Sequence, residues 1–152
     1  LEYPGVFVMR TFSKAYGMAG LRLGYAIGQP QTLAALSEAW GMGSVNVLTA
    51  AAGIAALNDK AHMDRERLEN KRVRDFTVSS FKEMGYEVAE SQTNFVFFQP
   101  GVPLERVQTT LRAKGFIVGR AFPPYTDWCR VSIGTPEEMR GFVAVLPEAL
   151  RV

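Results

Sequence analysis

The chain has 152 residues, of which 47% are hydrophobic and 21% charged, an ordinary composition for a globular protein. Its formal net charge of +2 is too small to indicate a nucleic-acid or acidic-membrane partner. The single cysteine, Cys129, excludes an internal disulfide and fits a reducing compartment. No run approaches the ~20 apolar residues of a membrane span, so we expect no membrane segment.

The N-terminal region predicts two short buried strands, at 6–9 and 21–27. Apolar runs of this length bounded by glycine are typical of a covered sheet. Pro30 is a good first-turn residue and opens a predicted helix that continues to Trp40. Gly41-Met42-Gly43 is expected to end that helix.

The segment from 47 to about 84 has a helical pattern, and its length predicts one break near Asn58-Asp59. Its charged part, 60–74, is interpreted as the solvated face of a helix and not as a binding patch. His62 lies there with no cluster of histidine or cysteine nearby. We therefore expect a solvent-facing residue and no metal site.

The remainder of the chain predicts a compact α/β unit that begins near Val73, with the order β-β-α-β-β-α. We predict strands at 86–89 and 94–98, a helix at 103–114, strands at 116–119 and 129–133, and a closing helix at 135–150. Thr135-Pro136-Glu137-Glu138 is a strong helix start, with a hydroxyl cap, a first-turn proline and acids beside the helix dipole.

Candidate chemistry begins where the first strand leads into a turn that carries Ser13 and Lys14. Lysine forms Schiff bases when its surroundings keep the amine unprotonated. Arg22 follows in the second apolar run. A hydroxyl and a guanidinium are suitable donors for a phosphate on the aldehyde, and this combination is typical of pyridoxal-phosphate chemistry. From composition alone, a solvated surface lysine is the more common alternative.

The ungapped run Ser-Lys-Ala-Tyr-Gly-Met-Ala-Gly-Leu-Arg-Leu-Gly-Tyr, residues 13–25, resembles the cofactor-lysine signature of fold-type-I pyridoxal-phosphate enzymes. The resemblance is closest to the histidinol-phosphate aminotransferase branch of the class I/II aminotransferases. It implies that Lys14 holds pyridoxal 5'-phosphate as an aldimine and serves as the catalytic base. It also implies that Ser13 and Arg22 bind the cofactor phosphate.

Arg130 interrupts an apolar strand and therefore needs an anionic partner or water. A structural salt bridge, a strand-edge position and a bound ligand all remain open from the residues alone. The segment 130–139 is similar to the one whose arginine binds the substrate α-carboxylate in the aminotransferases. The resemblance also suggests that Asn94 lines the substrate side or orients the arginine, although a plain strand-start turn is an equal alternative.

One segment departs from the resemblance. Histidinol-phosphate enzymes often carry an arginine directly after the strand at 116–118, where it helps to bind the substrate phosphate. Here Gly119 occupies that place and Arg120 follows. Because a one-residue shift in a strand reverses the side-chain face, phosphate specificity is in doubt. The following loop, 122–125, contains Phe, Pro, Pro and Tyr, which favours an apolar or aromatic substrate side chain.

The resemblance covers essentially the whole chain but only the C-terminal part of such an enzyme. It implies an α/β fold in which 1–46 ends the large cofactor-binding domain, 47–72 is an interdomain helical segment and 73–152 is the small domain. We interpret the chain as a fragment, catalytically silent in isolation and reliant on self-association to cover its N-terminal strands.

For the parent protein, the resemblance implies a cytoplasmic homodimer. It moves an amino group between an amino acid, or histidinol phosphate, and a 2-oxo acid. Two alternatives remain: a lyase resembling threonine-phosphate decarboxylase, in which the same three residues would serve, and a folded fragment without chemistry.

Overall fold

The computed structural model describes residues 3–41 and 43–150, which form two compact units. One unit contains the residues up to Arg67 and the other begins at Leu68. The domain boundaries expected at 46/47 and 72/73 stay a prediction. Of the predicted helix stop at 41–43, Met42 lies outside the described residues. No helix within the described ranges is long and apolar enough to cross a membrane.

The first unit begins with an antiparallel pair of strands, β1 (Phe7–Thr11) and β2 (Gly24–Gly28). Both predicted strands are therefore present, although the second begins later than expected because Ala19–Leu21 forms a 3-10 turn. Their predicted burial is wrong. Val8, Met9 and Ile27 are 40%, 67% and 51% exposed. The two strands form a sheet of their own, and the described part of the unit covers its faces only in part.

Three helices follow: α1 (Pro30–Trp40), α2 (Val47–Asn58) and α3 (Lys60–Glu83). The predicted start at Pro30 and the predicted break are both confirmed. Asp59 ends α2, and its Oδ1 accepts a hydrogen bond of 2.9 Å from the backbone N–H of His62 in the first turn of α3. His62 itself is half-buried, not fully solvent-facing as expected.

The second unit contains a three-stranded antiparallel sheet of β3 (Glu87–Val88), β4 (Phe95–Gln99) and β5 (Cys129–Ser132), in that order. The helices α4 (Leu104–Ala113) and α5 (Pro136–Leu150) complete it. The strand predicted at 116–119 is wrong. The Gly119 N–H donates one hydrogen bond to the Arg130 carbonyl, and a single bond does not make a ladder.

The core of the second unit lies between this sheet and the helices. The Phe81 ring lies 4.4 Å from that of Phe98 and 6.1 Å from that of Phe142, measured between centroids. Along β4, Val96 and Phe98 are buried in this core, whereas Phe95 and Phe97 alternate with them and are half-buried. The sheet therefore has a second face, opposite the core, on which aromatic side chains lie.

Candidate functional site

The loop that joins β1 to β2 carries three of the predicted site residues. The Phe12 N–H donates a hydrogen bond of 3.0 Å to the Leu23 carbonyl, which extends the strand pair by one step. Ser13 follows Phe12 and Arg22 precedes Leu23, so both residues adjoin the last hydrogen-bonded pair at the base of the loop. Lys14 comes next along the loop. The structure thus places Ser13, Lys14 and Arg22 at one end of the hairpin.

Phe12 anchors this loop to the first unit. It is buried, and its ring centroid lies 4.6 Å from that of Tyr16 and 5.9 Å from that of Tyr25. Its carbonyl accepts a hydrogen bond of 3.0 Å from the Met18 N–H. Tyr16 is therefore a packing residue of the loop.

Lys14 lies in a tight turn whose closing bond runs from the Gly17 N–H to the Lys14 carbonyl, over 2.8 Å. Gly17 has a φ of 67°, a conformation that glycine adopts without steric cost. The Lys14 side chain is exposed, and no carboxylate within residues 3–41 and 43–150 pairs with its amine. The amine is accessible for reaction with an aldehyde.

Arg22 has an unusual backbone. Its φ of 53° and ψ of 52° are left-handed, and it is the one residue other than glycine with a positive φ among the described residues. For an ordinary L-residue this conformation costs about 1–2 kcal/mol. The side chain folds back, and its Nη1 donates a hydrogen bond of 2.8 Å to the Ala19 carbonyl. Strain of this kind persists where the surroundings impose it, and it often occurs at functional sites.

The helix α2 contacts the residue before Arg22 through a hydrogen bond that the sequence analysis missed. Thr49 is buried, and its Oγ1 donates a hydrogen bond of 3.2 Å to the Leu21 carbonyl, beside Arg22. The same Oγ1 accepts a hydrogen bond of 2.8 Å from Asn46 Nδ2. Asn46 Oδ1 caps α2 by accepting the Thr49 N–H at 2.9 Å. An asparagine N-cap such as Asn46 can be recognised from the sequence, but the contact between Thr49 and Leu21 depends on the fold.

Close packing supports the same segment on its other side. A Cβ placed on Gly53 of α2 would lie 2.6 Å from Cδ2 of Leu23, so a larger residue there would displace the end of the Leu23 side chain. Leu21 and Leu23, the two neighbours of Arg22, thus both lie against α2.

These residues fit a phosphorylated aldehyde. The hydroxyl of half-buried Ser13 and the exposed guanidinium of Arg22 are phosphate donors at the base of one loop, and the loop carries an exposed lysine. Pyridoxal phosphate needs a phosphate site and a primary amine, and the loop supplies both kinds of group.

Arg130 lies in the second unit, on β5 directly opposite Phe97 of β4. Its Cζ is 5.1 Å from the centroid of the Phe95 ring and 4.8 Å from that of the Phe122 ring. No salt bridge to Arg130 is present in the part of the chain that the structure describes. The sequence left three alternatives open for Arg130, and the described residues do not provide one of them, the internal salt bridge.

Further aromatic residues surround Arg130 on this face of the sheet. The Phe97 ring lies 6.2 Å from the rings of Phe122 and Tyr125 and 5.1 Å from the ring of Trp128, between centroids. The bulky loop after Arg120 thus packs on the outer face of the sheet.

Asn94 is exposed at the start of β4. Its carbonyl accepts a hydrogen bond of 2.9 Å from the Ile133 N–H, just beyond β5. No hydrogen bond between the Asn94 side chain and Arg130 is found among the described residues, so the expected orienting contact is not seen. Its contribution to a substrate site stays a prediction.

Cys129, next to Arg130, is a residue of the core. Its side chain is fully buried, and burial raises the pKa of the thiol to about 12. The thiol therefore stays protonated at neutral pH and is not a nucleophile.

The two units define an α/β protein with the architecture of the fold-type-I pyridoxal-phosphate enzymes. A structure of histidinol-phosphate aminotransferase from Sinorhizobium meliloti, in complex with pyridoxal-5'-phosphate, matches it with a TM-score of 0.83 at 30% identity. The match covers 99% of this chain and 42% of that one. The family model for aminotransferase class I and II matches residues 2–146. The chain belongs to this family of class I and II aminotransferases.

Individual relatives are named for different substrates. Histidinol-phosphate aminotransferase from Symbiobacterium thermophilum is 42% identical over 98% of this chain and 42% of its own length. Aromatic amino acid aminotransferase from Rhodococcus opacus is 42% identical over 94% of this chain and 39% of its own length. This chain therefore spans about two-fifths of the length of these relatives.

Proposed function

We propose that this chain is the C-terminal part of a pyridoxal-phosphate-dependent aminotransferase, with Lys14 as the cofactor lysine. The observation that carries the proposal is the geometry of one loop. Ser13 and Arg22 are the chain neighbours of the last hydrogen-bonded pair, Phe12 and Leu23, and Lys14 follows Ser13 in the loop with an exposed side chain. Family membership supports the same conclusion.

Each residue has a distinct role in this proposal. Pyridoxal phosphate, when bound, supplies the electron sink that makes a bond at the substrate Cα labile. The Ser13 hydroxyl and the Arg22 guanidinium bind its phosphate, the latter by charge-assisted hydrogen bonds. Nζ of Lys14 binds the cofactor covalently at rest, and during the reaction it takes up the proton released from the substrate Cα.

Arg130 binds the α-carboxylate of the substrate in this proposal. Its guanidinium is half-buried, held against two rings and without an internal carboxylate among the described residues. A planar fork of donors matches a carboxylate better than a lysine amine does. We include Asn94 on the substrate side because it lies at the start of β4, the strand that pairs with β5.

The substrates that we propose are an amino acid and a 2-oxo acid. The aromatic cluster beside Arg130 favours an amino acid with an apolar or aromatic side chain, and histidinol phosphate remains the second candidate. Both relatives described above are aminotransferases, which favours transamination over decarboxylation. We further expect a cytoplasmic homodimer, and we expect the isolated chain to be inactive.

Borohydride trapping tests the assignment of Lys14 directly. The full-length enzyme that contains this sequence is reduced with its cofactor, and the labelled peptide is located by mass spectrometry. We expect the label on Lys14, its loss in Lys14→Ala, and its retention in Lys60→Ala, a control at the start of α3. A labelled and active Lys14→Ala enzyme would refute the proposal.

Product analysis then distinguishes the two reactions. A 2-oxo acid formed only with an amino acceptor indicates transamination, whereas carbon dioxide release indicates the lyase alternative. A loaded enzyme that forms neither product indicates a protein that keeps the fold without the chemistry.

A further inference from the structure

The guanidinium of Arg130 lies against phenyl rings from two separate segments. Phe95 belongs to β4, and because Arg130 is opposite Phe97, Phe95 is its diagonal neighbour on the same face of the sheet. Phe122 comes from the loop before β5 and lies slightly closer, with its centroid 4.8 Å from Cζ.

Such contacts fix a guanidinium without using its donors. All five N–H groups of arginine lie in the plane of the group, whereas a ring interacts with the cation through the ring face. A carboxylate partner would instead occupy the N–H groups, and none is paired with Arg130 in the described ranges. The orientation of Arg130 is therefore set while its edge stays available for an anion.

Phe122 is itself held in place. Its carbonyl accepts a hydrogen bond of 2.8 Å from the Tyr125 N–H, and its ring lies 6.2 Å from that of Phe97. Arg120 adds a second guanidinium, with Cζ 4.5 Å from the centroid of the Phe122 ring. The ring thus has contacts with the sheet below and with the cations beside it.

Gly119 allows the backbone to come close to Arg130. A Cβ at Gly119 would lie 3.1 Å from the Arg130 carbonyl oxygen and 3.8 Å from its Nε. Histidinol-phosphate enzymes often have an arginine at this position. Here the side chain of such an arginine would be in tight contact with Arg130. The glycine and the aromatic loop therefore form one arrangement around Arg130.

We propose that Phe122 is a positioning residue that orients the Arg130 guanidinium for the substrate carboxylate, with Phe95 as a second support. This inference rests on the proposed function, because it takes Arg130 as the carboxylate ligand. It assigns to the 122–125 loop a role in carboxylate affinity, in addition to any effect on the substrate side chain.

The test is steady-state kinetics of the full-length enzyme with Phe122→Leu. We expect the KM for amino acids to rise by about two- to thirty-fold, the span of cation–π energies from exposed to desolvated sites. The kcat at saturation should stay within about twofold, because the reacting groups are unchanged. The KM for an amine without a carboxylate should not change. Phe122→Trp, which keeps a ring face, should restore the amino-acid KM.

Phe116→Leu is the matched control, since it removes the same kind of ring from the same unit. Phe116 packs on Phe142 with centroids 5.4 Å apart, and we expect the amino-acid KM of this variant to equal that of the wild type. With an active wild type, an unchanged KM in Phe122→Leu, or an equal rise for the amine, overturns the positioning role and leaves the proposed function intact.

A second readout does not depend on activity. The Nε–H signal of Arg130 in an NMR spectrum is assigned by its loss in Arg130→Lys. It should shift in Phe122→Leu, because the ring current is removed, and stay in place in Phe116→Leu. A signal that does not move in Phe122→Leu overturns the inference even where the wild type forms no product. Absence of Lys14 labelling would instead refute the proposed function.

Discussion

The Thr49 hydroxyl donates a hydrogen bond to the carbonyl oxygen of Leu21, 28 residues earlier in the chain. This bond joins the first turn of α2 to the residue directly before Arg22. Arg22 has a left-handed backbone that an arginine does not favour. A buried side chain outside the proposed site therefore contacts the segment in which Arg22, the residue that we propose as a phosphate donor, has its left-handed backbone.

Thr49→Val tests this link, because valine keeps the shape of threonine and lacks its hydroxyl. We expect a loss of about 1–2 kcal/mol in the free energy of unfolding, since the Leu21 carbonyl and Asn46 Nδ2 both lose a partner. Cofactor retention should also fall, because Arg22 is held less firmly. Denaturant unfolding and dialysis measure the two effects, with Thr49→Ser as the hydroxyl-keeping control. Equal stability of the valine variant and the wild type would contradict the role of this bond.

Arg22→Gly should affect stability and function in opposite directions. Glycine accepts the left-handed conformation, so we expect the free energy of unfolding to rise by about 1 kcal/mol. Loss of the guanidinium should weaken cofactor retention by roughly 1.5–3 kcal/mol, the scale of a hydrogen bond to a charged group. Arg22→Leu should weaken retention equally without the gain in stability. Unchanged retention during dialysis in cofactor-free buffer would remove Arg22 from the site.

Arg130→Lys should raise the KM for amino acids, because a point charge replaces a planar fork of donors. Amines that lack a carboxylate should distinguish little between this variant and the wild type. The measurement is a comparison of kcat/KM for one amino acid and for its decarboxylated analogue. Identical values for the amino acid in both proteins would show that Arg130 does not bind the carboxylate.

The elements that local signals define could be predicted from the sequence. Pro30 begins α1 and the Asn58-Asp59 pair separates α2 from α3, because a first-turn proline and a capping aspartate act within a few residues. The exposure of Val8 and Met9 could not be predicted in the same way. An apolar run shows that a strand can be covered, and whether it is covered depends on other segments.

The site was predicted as a set of residues and not as an arrangement. The motif that contains Ser13, Lys14 and Arg22 can be recognised in the sequence. The left-handed backbone of Arg22 cannot, because no neighbouring residue type indicates it. The rings around Arg130 depend on the register that sets Phe97 opposite it and on a loop that returns to the sheet. The strand predicted at 116–119 is wrong because Phe116 and Val118 pack on the core without a ladder, while Ile117 is exposed.

Cys129 should be chemically silent in the folded protein and should affect stability only at high pH. Burial raises the pKa of its thiol from 9.0 to about 12. Below about pH 9 both folded and unfolded states keep the proton, and the thiol has no effect on the pH dependence. As the pH rises from about 9 towards 12, the unfolded state loses the proton first, so folding stability falls.

We therefore expect the stability advantage of the wild type over Cys129→Ala, measured by denaturant unfolding, to narrow through this pH range. Alkylation by iodoacetamide at pH 8 should be slow for native protein and rapid after denaturation, because only a thiolate reacts. Rapid alkylation of the native protein would show that the Cys129 thiol is accessible. A stability difference between wild type and Cys129→Ala that is constant between pH 8 and 11 would show that burial does not raise the pKa of the thiol.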